Sequence, residues 1–464
     1  MIVLHTNNRI YSYYYMLSIS TQDKKYVWHP YTQMKDWTNS QTHVITSGKG
    51  FYLIDENNNK YLDGISNMWC NVWGHNRNEI IRAMKRQLGE LPHSSLFGLA
   101  GSSSINLAQQ LIKIAKGVDK VFYTDNGSTA IEAALKMAIQ FWRNKGRGEK
   151  RSFISLENGY HGDTIGCMSI GYVDGFFSPY KSILIENTLR VPSPTIRNSR
   201  FEGGKNDLAI DEYINAAEKV IKKYASVTAA FVMESGAQIA GGVRIYPQGF
   251  QKQIGELCKK HDILFILDEI ATGFGRLGNM IEYSAQDSSP DIVCYAKALT
   301  AGYFPLAVTL TTNNIFNAFL GKYSDRKQLY HGHTFTGHPV GCAAATANLI
   351  LYERYDLISK IRNNMRYLEK LLEDLIEIDI VADVRHKGLL AAIELRKNNK
   401  DILTVCKKPI GQFIAEESLK RGIYLRSLEN IMLVIPPLAI GKNDLKRIID
   451  VYRSVIRKIK KQLS

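Results

Sequence analysis

Two residues of this chain, Asp268 and Lys297, have the types and the spacing that one kind of covalent chemistry requires. Each follows a short apolar run, Ile263–Leu267 or Ile292–Tyr295, that predicts a buried parallel strand. Their spacing leaves room for one strand–crossover–strand unit, so both side chains should lie at the carboxyl edge of a sheet. Pyridoxal phosphate needs such a pair, an amine that bonds its aldehyde and an acid that keeps its ring nitrogen protonated. A structural Asp–Lys ion pair would use the same residue types, and spacing alone does not separate the two interpretations.

A phosphate site is indicated earlier in the chain. The strand Val121–Thr124 runs into Gly127 and Ser128, which begin a long alanine-rich helix. Backbone N–H groups and hydroxyls at a helix start bind phosphate, although simple N-capping by a hydroxyl residue gives the same pattern. Tyr160 and His161 follow the next predicted strand. An aromatic ring at that point can stack on a flat cofactor.

The elements that must position these residues alternate between strand and helix from residue 121 to residue 311. This order predicts a mostly parallel sheet that is covered by helices on both faces, in a large domain spanning residues 76–345. Residues 346–464 read as a separate, small α+β domain, and residues 28–75 as an N-terminal segment that joins it. We expect Phe176–Gly204 to be a surface insertion, because it shows no periodicity. No GxGxxG follows an early strand, so a dinucleotide fold has no support.

Composition excludes several classes of function. The net charge is +15 and the pI about 9.3, but the basic residues are scattered apart from one cluster at residues 457–461. We therefore expect no nucleic-acid partner. No apolar run reaches the roughly 18 residues that a membrane helix needs, so no membrane partner is expected. The six cysteines form no CxxC pair, which predicts no metal and a reduced, cytoplasmic protein.

The start of the chain lacks the pattern of a signal peptide, because its apolar stretch is broken by polar residues. Residues 1–27 are expected to be an extension without regular structure, with Met16 as an alternative start. Trp69, Trp73 and His75 lie just before a helical pattern, where large rings either line a site or pack in the core. Arg426 lies in a predicted strand pair, where it forms a surface ion pair or binds a substrate carboxylate.

Six motifs together carry a resemblance to a known family: WHPYTQM, NGSTAIEAALKMA, GYHGDTIG, DEIATGFGRLG, AKALTAGYFPLA and HGHTFTGHPVGCA. The chain resembles the class III aminotransferases of pyridoxal-phosphate fold type I, over nearly its whole length from Trp28. The resemblance implies an α/β fold with a mostly parallel seven-stranded sheet, a small α+β domain and a homodimer. WHPYTQM points to the branch that serves biotin synthesis.

The resemblance also implies roles for individual residues. Lys297 would bond pyridoxal phosphate and carry protons, and Asp268 would pair with the ring nitrogen. The other cofactor-binding positions are Gly127, Ser128, Tyr160 and Thr334, the last reaching across from the second subunit. The substrate positions are Tyr31, which is also counted as catalytic, and Trp69, Asp163, Gly332 and Arg426, which binds the keto-acid carboxylate. Glu234 and Gln238 resemble supporting residues beneath the site.

The implied activity is amination of 8-amino-7-oxononanoate to 7,8-diaminononanoate, with S-adenosylmethionine as amino donor. Two departures bear on the donor: Met68 stands where adenosylmethionine users commonly carry a second tryptophan, and Leu433 where they carry a tyrosine. Lysine is therefore an alternative donor, whereas Tyr31 agrees with adenosylmethionine. Other ω-aminotransferase activities, on a diamine, an ω-amino acid or ornithine, stay open, and so does a non-enzymatic binding protein of the same fold.

Overall fold

The computed structural model describes residues 18–186, 188–196 and 210–463. The helices are Ile19–Tyr26, Met34–Asn39, Asn78–Glu90, Ser102–Ile114, Gly127–Asn144, Ile165–Ile170, Asp174–Phe177, Ile210–Tyr224, Phe250–Lys260, Glu282–Ala285, Asn313–Ala318, Pro339–Arg354, Leu357–Glu373, Ile410–Leu419 and Lys442–Leu463, with a separate helical turn at Ser66–Trp69. Of the predicted N-terminal extension, Ile19–Tyr26 is helical, whereas residues 1–17, with both candidate start positions, lie outside the described residues.

The strands, in chain order, are β1 (Ile45–Lys49), β2 (Tyr52–Asp55), β3 (Lys60–Asp63), β4 (Lys120–Thr124), β5 (Ser152–Leu156), β6 (Thr188–Val191), β7 (Thr228–Glu234), β8 (Ala237–Gln238), β9 (Arg244–Ile245), β10 (Leu264–Asp268), β11 (Ile292–Tyr295), β12 (Ala307–Thr311), β13 (Val381–Lys387), β14 (Leu390–Lys397), β15 (Lys400–Asp401), β16 (Thr404–Val405), β17 (Lys408–Pro409), β18 (Ile423–Tyr424), β19 (Ser427–Leu428) and β20 (Ile431–Val434).

The central sheet has seven strands in the order β4-β12-β11-β10-β7-β5-β6. All neighbouring pairs are parallel except the two that β12 makes with β11 and β4. The predicted mostly parallel sheet is therefore confirmed. Parallel pairing brings the carboxyl ends of β5, β7, β10 and β11 to one edge, where open α/β sheets bind their ligands.

Both faces of the central sheet are buried. Successive residues of its inner strands point to opposite faces, and each face packs in its own apolar cluster. In β10, Leu264 and Ile266 pack with the helix Gly127–Asn144, whereas Phe265 and Leu267 belong to the core on the other face. This explains why the strand is a continuous apolar run rather than an alternating one. Burial on both sides fixes the register of β10, and so fixes where Asp268 emerges.

The C-terminal part has its own five-stranded antiparallel sheet, with β13, β14, β20 and β19 in order and β15 against β14. The N-terminal strands β1–β3 form a further sheet that β18 completes by pairing in parallel with β3. Main-chain pairing thus joins the two ends of the chain. The predicted boundary at residue 345 falls inside the helix Pro339–Arg354.

One prediction about the large domain is wrong. Phe176–Gly204 was predicted as a surface insertion, but Thr188–Val191 forms β6 and pairs with β5 at the edge of the central sheet. Its short length, and polar Thr188 and Arg190, hide the strand in the sequence. Residues 197–209 lie outside the described residues. Within the described parts of the chain, no helix is long and apolar enough to cross a membrane.

Candidate active site

A cavity of about 500 Å³ opens at the carboxyl edge of the central sheet. Asp268 and Lys297 both line it, so the structure brings the predicted acid and amine together. The remaining lining residues include Trp69, Cys70, Asp125, Asn126, Gly127, Ser128, Tyr160, His161, Gly162, Glu234, Ile270, Ala271, Thr272, Thr300, Gly302, Tyr303, Phe304, Pro305 and Leu306. A cavity of this size suits a small molecule.

Asp268 is the last residue of β10 and is only 4% exposed. Nδ1 of His161 lies 2.8 Å from its Oδ2, and the backbone N–H of Ile270 donates to its Oδ1 at 2.9 Å. Each oxygen of the Asp268 carboxylate thus has one polar partner, and the two contacts hold the group in place at the cavity. Asp268 is therefore prepared to stabilise a cation in the cavity.

Lys297 follows β11 and begins a short 3-10 turn at a φ of +44°. A left-handed backbone at a non-glycine residue costs free energy, and such strain concentrates at functional sites. Its Nζ lies 5.2 Å from the ring centre of Trp69. Burial lowers the pKa of Lys297, while the Asp268 carboxylate opposes the shift. A lower pKa increases the fraction of neutral amine, the form that attacks an aldehyde.

The helix Gly127–Asn144 starts at the cavity with a capping box. The Asn126 side chain accepts from the N–H of Thr129, and the Thr129 hydroxyl accepts from the N–H of Asn126. The N–H groups of Gly127 and Ser128 have no partner among the described residues, and both residues line the cavity. Two open donors at the positive end of a helix are an anion site. Gly162, at a φ of +127°, lets Ser128 approach closely, because a Cβ there would clash with the serine hydroxyl.

Tyr31 and Asp163 are joined to this cavity through Tyr160. The hydroxyls of Tyr31 and Tyr160 both donate to Oδ1 of Asp163, at 2.5 and 3.1 Å. Burial, followed by the Asp163 carboxylate, raises the pKa of both phenols, so both stay neutral donors. This places a carboxylate with two phenols at the mouth of the site, where a substrate amine or hydroxyl would meet them.

Trp69 reaches the cavity from an unusual backbone segment. Ser66, Asn67, Met68 and Trp69 all have positive φ, which for successive non-glycine residues is strained. The hydroxyl of Ser66 donates to the carbonyl of Ile435 at 2.7 Å. The segment is held in this conformation by contacts that are distant in the sequence.

Arg276 is the largest of those contacts. Its guanidinium is buried and donates to the Ser66 hydroxyl at 3.1 Å and to the carbonyls of Leu389 and Pro436 at 2.9 and 2.7 Å. On the other side, Asp63 accepts from the backbone N–H of Asn67 at 2.8 Å. These hydrogen bonds offset the backbone strain and fix Trp69 beside Lys297.

Met68 precedes Trp69 in the same turn, and its side chain contacts Arg426. Its sulfur lies 3.5 Å from Nη1 of Arg426, and it is 45% exposed. Arg426 lies outside the residues that line the cavity, but the turn connects it to Trp69 and hence to Lys297. Leu433 is buried in the same apolar cluster as Trp69. The two positions that depart from the family pattern therefore flank the same tryptophan and arginine.

Gly332 and Thr334 are exposed and do not line the cavity of their own chain. They lie on either side of His333, whose Nδ1 is 2.9 Å from a carboxylate oxygen of Asp125. Asp125 does line the cavity. The loop is thus attached next to the site, but Thr334 itself is exposed and points away from the cavity of its own chain.

The aromatic group near residue 70 divides between site and core. Trp69 lines the cavity, whereas Trp73 is buried, donates to Asn348 at 2.7 Å and packs on Tyr352. His75 lies 3.4 Å from Asp63, below the strained turn. Of the two alternatives for these rings, lining a site holds for Trp69, and packing in the core holds for Trp73.

Sequence reasoning missed other residues of the site. It noted His161 only as a neighbour of Tyr160, although its position after a strand end was the signal available. Cys70 and Tyr303 carried no signal. Burial raises the pKa of Cys70 to about 11, so its thiol is neutral at physiological pH.

Comparison with known proteins decides the family. The sequence matches the aminotransferase class-III family over residues 34–456. The chain belongs to the class III aminotransferases. It is thus an enzyme that transfers amino groups, and the family resemblance of its motifs is confirmed.

Several class III aminotransferases are similar over almost their full length. The adenosylmethionine-8-amino-7-oxononanoate aminotransferase of Geobacter sulfurreducens is 41% identical over 435 residues, 92% of this chain and 95% of that protein. The protein of the same name from Methanocaldococcus jannaschii is 39% identical, and its crystal structure superposes with a TM-score of 0.88, covering 95% of this chain and 99% of that one.

A more distant solved structure shows how widely the fold is shared. The omega transaminase of Pseudomonas jessenii in complex with PMP is 28% identical, with a TM-score of 0.89 over 96% of this chain and 99% of that one. The fold predicted from the sequence, that of the pyridoxal-phosphate-dependent transferases, is confirmed by these likenesses.

Proposed function

We propose that this chain aminates 8-amino-7-oxononanoate to 7,8-diaminononanoate, with S-adenosylmethionine as amino donor, in biotin synthesis. The observation that carries the proposal is a cavity that holds Asp268 and Lys297 together, in a chain that covers more than nine-tenths of the Geobacter sulfurreducens and Methanocaldococcus jannaschii proteins of that name. The protein acts as a cytoplasmic homodimer, with pyridoxal phosphate as cofactor.

The residues present fit this cofactor at each of its functional groups. Lys297 offers an amine of lowered pKa to the aldehyde, and Asp268 offers a hydrogen-bonded carboxylate to the ring nitrogen. Gly127 and Ser128 offer open N–H groups to the phosphate, and Tyr160 a ring to stack on. When bound, pyridoxal phosphate takes up the amino group and withdraws electrons from the neighbouring carbon.

Lys297 carries the proton in each half of the reaction. With the cofactor held in the cavity, the Nζ of Lys297 would be the base that removes the proton from the amine-bearing carbon of the donor. Burial lowers the pKa of this amine, which increases its neutral fraction, and its Nζ lies 5.2 Å from the ring centre of Trp69. In the second half, the same Nζ returns a proton to the carbon of the acceptor that becomes the new amine centre.

The acceptor is oriented by its carboxylate. Arg426 has no carboxylate partner among the described residues, and its planar fork matches a carboxylate in two hydrogen bonds. Tyr31, with Asp163, binds the polar groups of the substrates at the mouth. In the homodimer, Gly332 and Thr334 of one subunit complete the site of the other, Thr334 at the phosphate.

A donor panel tests the proposal. The purified protein, loaded with pyridoxal phosphate and supplied with 8-amino-7-oxononanoate, should form 7,8-diaminononanoate with S-adenosylmethionine. Lysine is the informative alternative, because Met68 and Leu433 replace aromatic residues near Trp69. If 7,8-diaminononanoate forms with lysine but not with S-adenosylmethionine, lysine is the amino donor. If no donor gives this product, while the protein is active on diamines or ornithine, 8-amino-7-oxononanoate is not the acceptor.

A further inference from the structure

Glu234 lines the cavity, although the reaction as described gives it no task. It is the last residue of β7 and pairs in register with Asp268 on β10. The side chain is 5% exposed. A second buried carboxyl thus lies beside the acid that meets the cofactor ring.

Both oxygens of Glu234 accept backbone hydrogen bonds. Oε1 accepts from the N–H of Tyr160 at 3.2 Å, and Oε2 accepts from the N–H of Ile239 at 3.1 Å. An ionised carboxylate can accept at both oxygens, whereas a neutral carboxylic acid or an amide carries a donor on one of them. Protonation therefore weakens one of the two hydrogen bonds.

We propose that Glu234 is a positioning residue: its ionised carboxylate holds the backbone of Tyr160, and so the tyrosine ring, against the bound cofactor, and its protonation loosens that ring. The inference rests on the proposed cofactor and on the stacking role of Tyr160, but not on the identity of either substrate. Burial raises the pKa of Glu234 to about 7, which brings the change into the physiological range.

Other titratable groups face Glu234 from every packed element. His161 lies on the loop after β5, Asp268 on β10, Lys297 after β11 and Tyr246 after β9. Asp268 opposes ionisation of Glu234, whereas His161 favours it. A Glu234 variant keeps all of these groups, so the ratio of its cofactor affinity to that of the wild type measures replacement of the Glu234 carboxyl, including its coupling to them.

The test is titration of the apoprotein with pyridoxal phosphate across pH, for the wild type and Glu234→Gln. We expect the wild type to bind about 10-fold more tightly near pH 8.5, since a hydrogen bond to a charged group is lost in the variant. Near pH 5.5 the ratio should approach one, because the wild-type carboxyl is then neutral as well. A ratio independent of pH would overturn the proposal. Absence of binding by the wild type would instead reject the proposed cofactor.

Glu269 provides a matched control. It is equally buried and also accepts two backbone hydrogen bonds, from Glu282 at 3.0 Å and Tyr283 at 2.5 Å, but it does not line the cavity. Glu269→Gln should leave the cofactor affinity within about twofold of the wild type at each pH, because it holds no cofactor-facing segment. An equal loss in both variants would show a general packing effect and overturn the proposal.

Hydrogen exchange in the wild type gives a second measurement if Glu234→Gln does not fold. After correction for the intrinsic rate, the amide of Tyr160 should exchange faster below the pKa of Glu234 than above it. Unchanged protection across that range would overturn the proposal without any substitution.

Discussion

Nδ1 of His161 lies 2.8 Å from Oδ2 of Asp268, and both residues line the cavity. The imidazole thus contacts Oδ2 of Asp268, while the backbone N–H of Ile270 donates to Oδ1. The Asp268 carboxylate is therefore oriented by contacts within the chain itself, one of them from the residue that immediately follows Tyr160.

Replacement of His161 by phenylalanine should weaken binding of pyridoxal phosphate by about 10-fold or more, because a hydrogen bond to a buried charge is lost. Titration of the apoprotein, followed by absorbance, measures the effect. His386→Phe serves as the control, since His386 is half-buried and makes its hydrogen bond with the carbonyl of Gly388 in the small domain. Equal affinities of His161→Phe and the wild type would refute a role for this contact.

The strained turn should depend on the hydroxyl of Ser66. Ser66→Ala leaves the Arg276 guanidinium and the Ile435 carbonyl each short of one buried partner, which should cost about 1–3 kcal/mol of stability. Denaturant unfolding measures this cost. Ser418→Ala, which removes only a hydroxyl bonded within its own helix, should cost less. If the two variants lose the same stability, Ser66 does not clamp the turn.

Arg426→Lys should separate the two halves of the reaction. A lysine cannot reproduce the planar fork, so the KM for 8-amino-7-oxononanoate should rise about 10-fold or more. The donor half-reaction, measured alone in single turnover, should change little. Arg421→Lys is the control, because Arg421 pairs with the buried carboxylate of Glu417 in the small domain and does not line the cavity. An equal loss in the donor half-reaction would contradict a role of Arg426 that is confined to the acceptor.

Burial raises the pKa of Glu269 to about 8, above its ordinary value of 4.5. The folded protein therefore binds more protons than the unfolded chain between these values, and this contribution to stability is lost as the pH rises through about 8. Glu269→Gln should remove it, changing the slope of unfolding free energy against pH by at most about 1.4 kcal/mol per pH unit. Parallel pH curves for the wild type and the variant would show that Glu269 does not titrate in this range.

The sequence predicts those features of the site that depend on short stretches of residues, namely where strands end and where a helix begins. Asp268 and Lys297 could be placed at one edge because parallel strands end together, and Gly127 could be placed because a helix start follows a strand. Long-range contacts could not be predicted. Nothing near Ser66 in the sequence indicates Arg276, and nothing separates Trp69 in the cavity from Trp73 in the core. β6 was missed because an edge strand needs little apolar surface.

The proposed reaction depends most on Lys297 as the amine that would bond the cofactor, with Asp268 as the acid for its ring nitrogen. Borohydride reduction of the loaded protein, followed by peptide mass spectrometry, tests this directly. We expect the pyridoxyl group on the peptide that contains Lys297, and loss of both label and turnover in Lys297→Ala. A label on another lysine, or full turnover by Lys297→Ala, would contradict it.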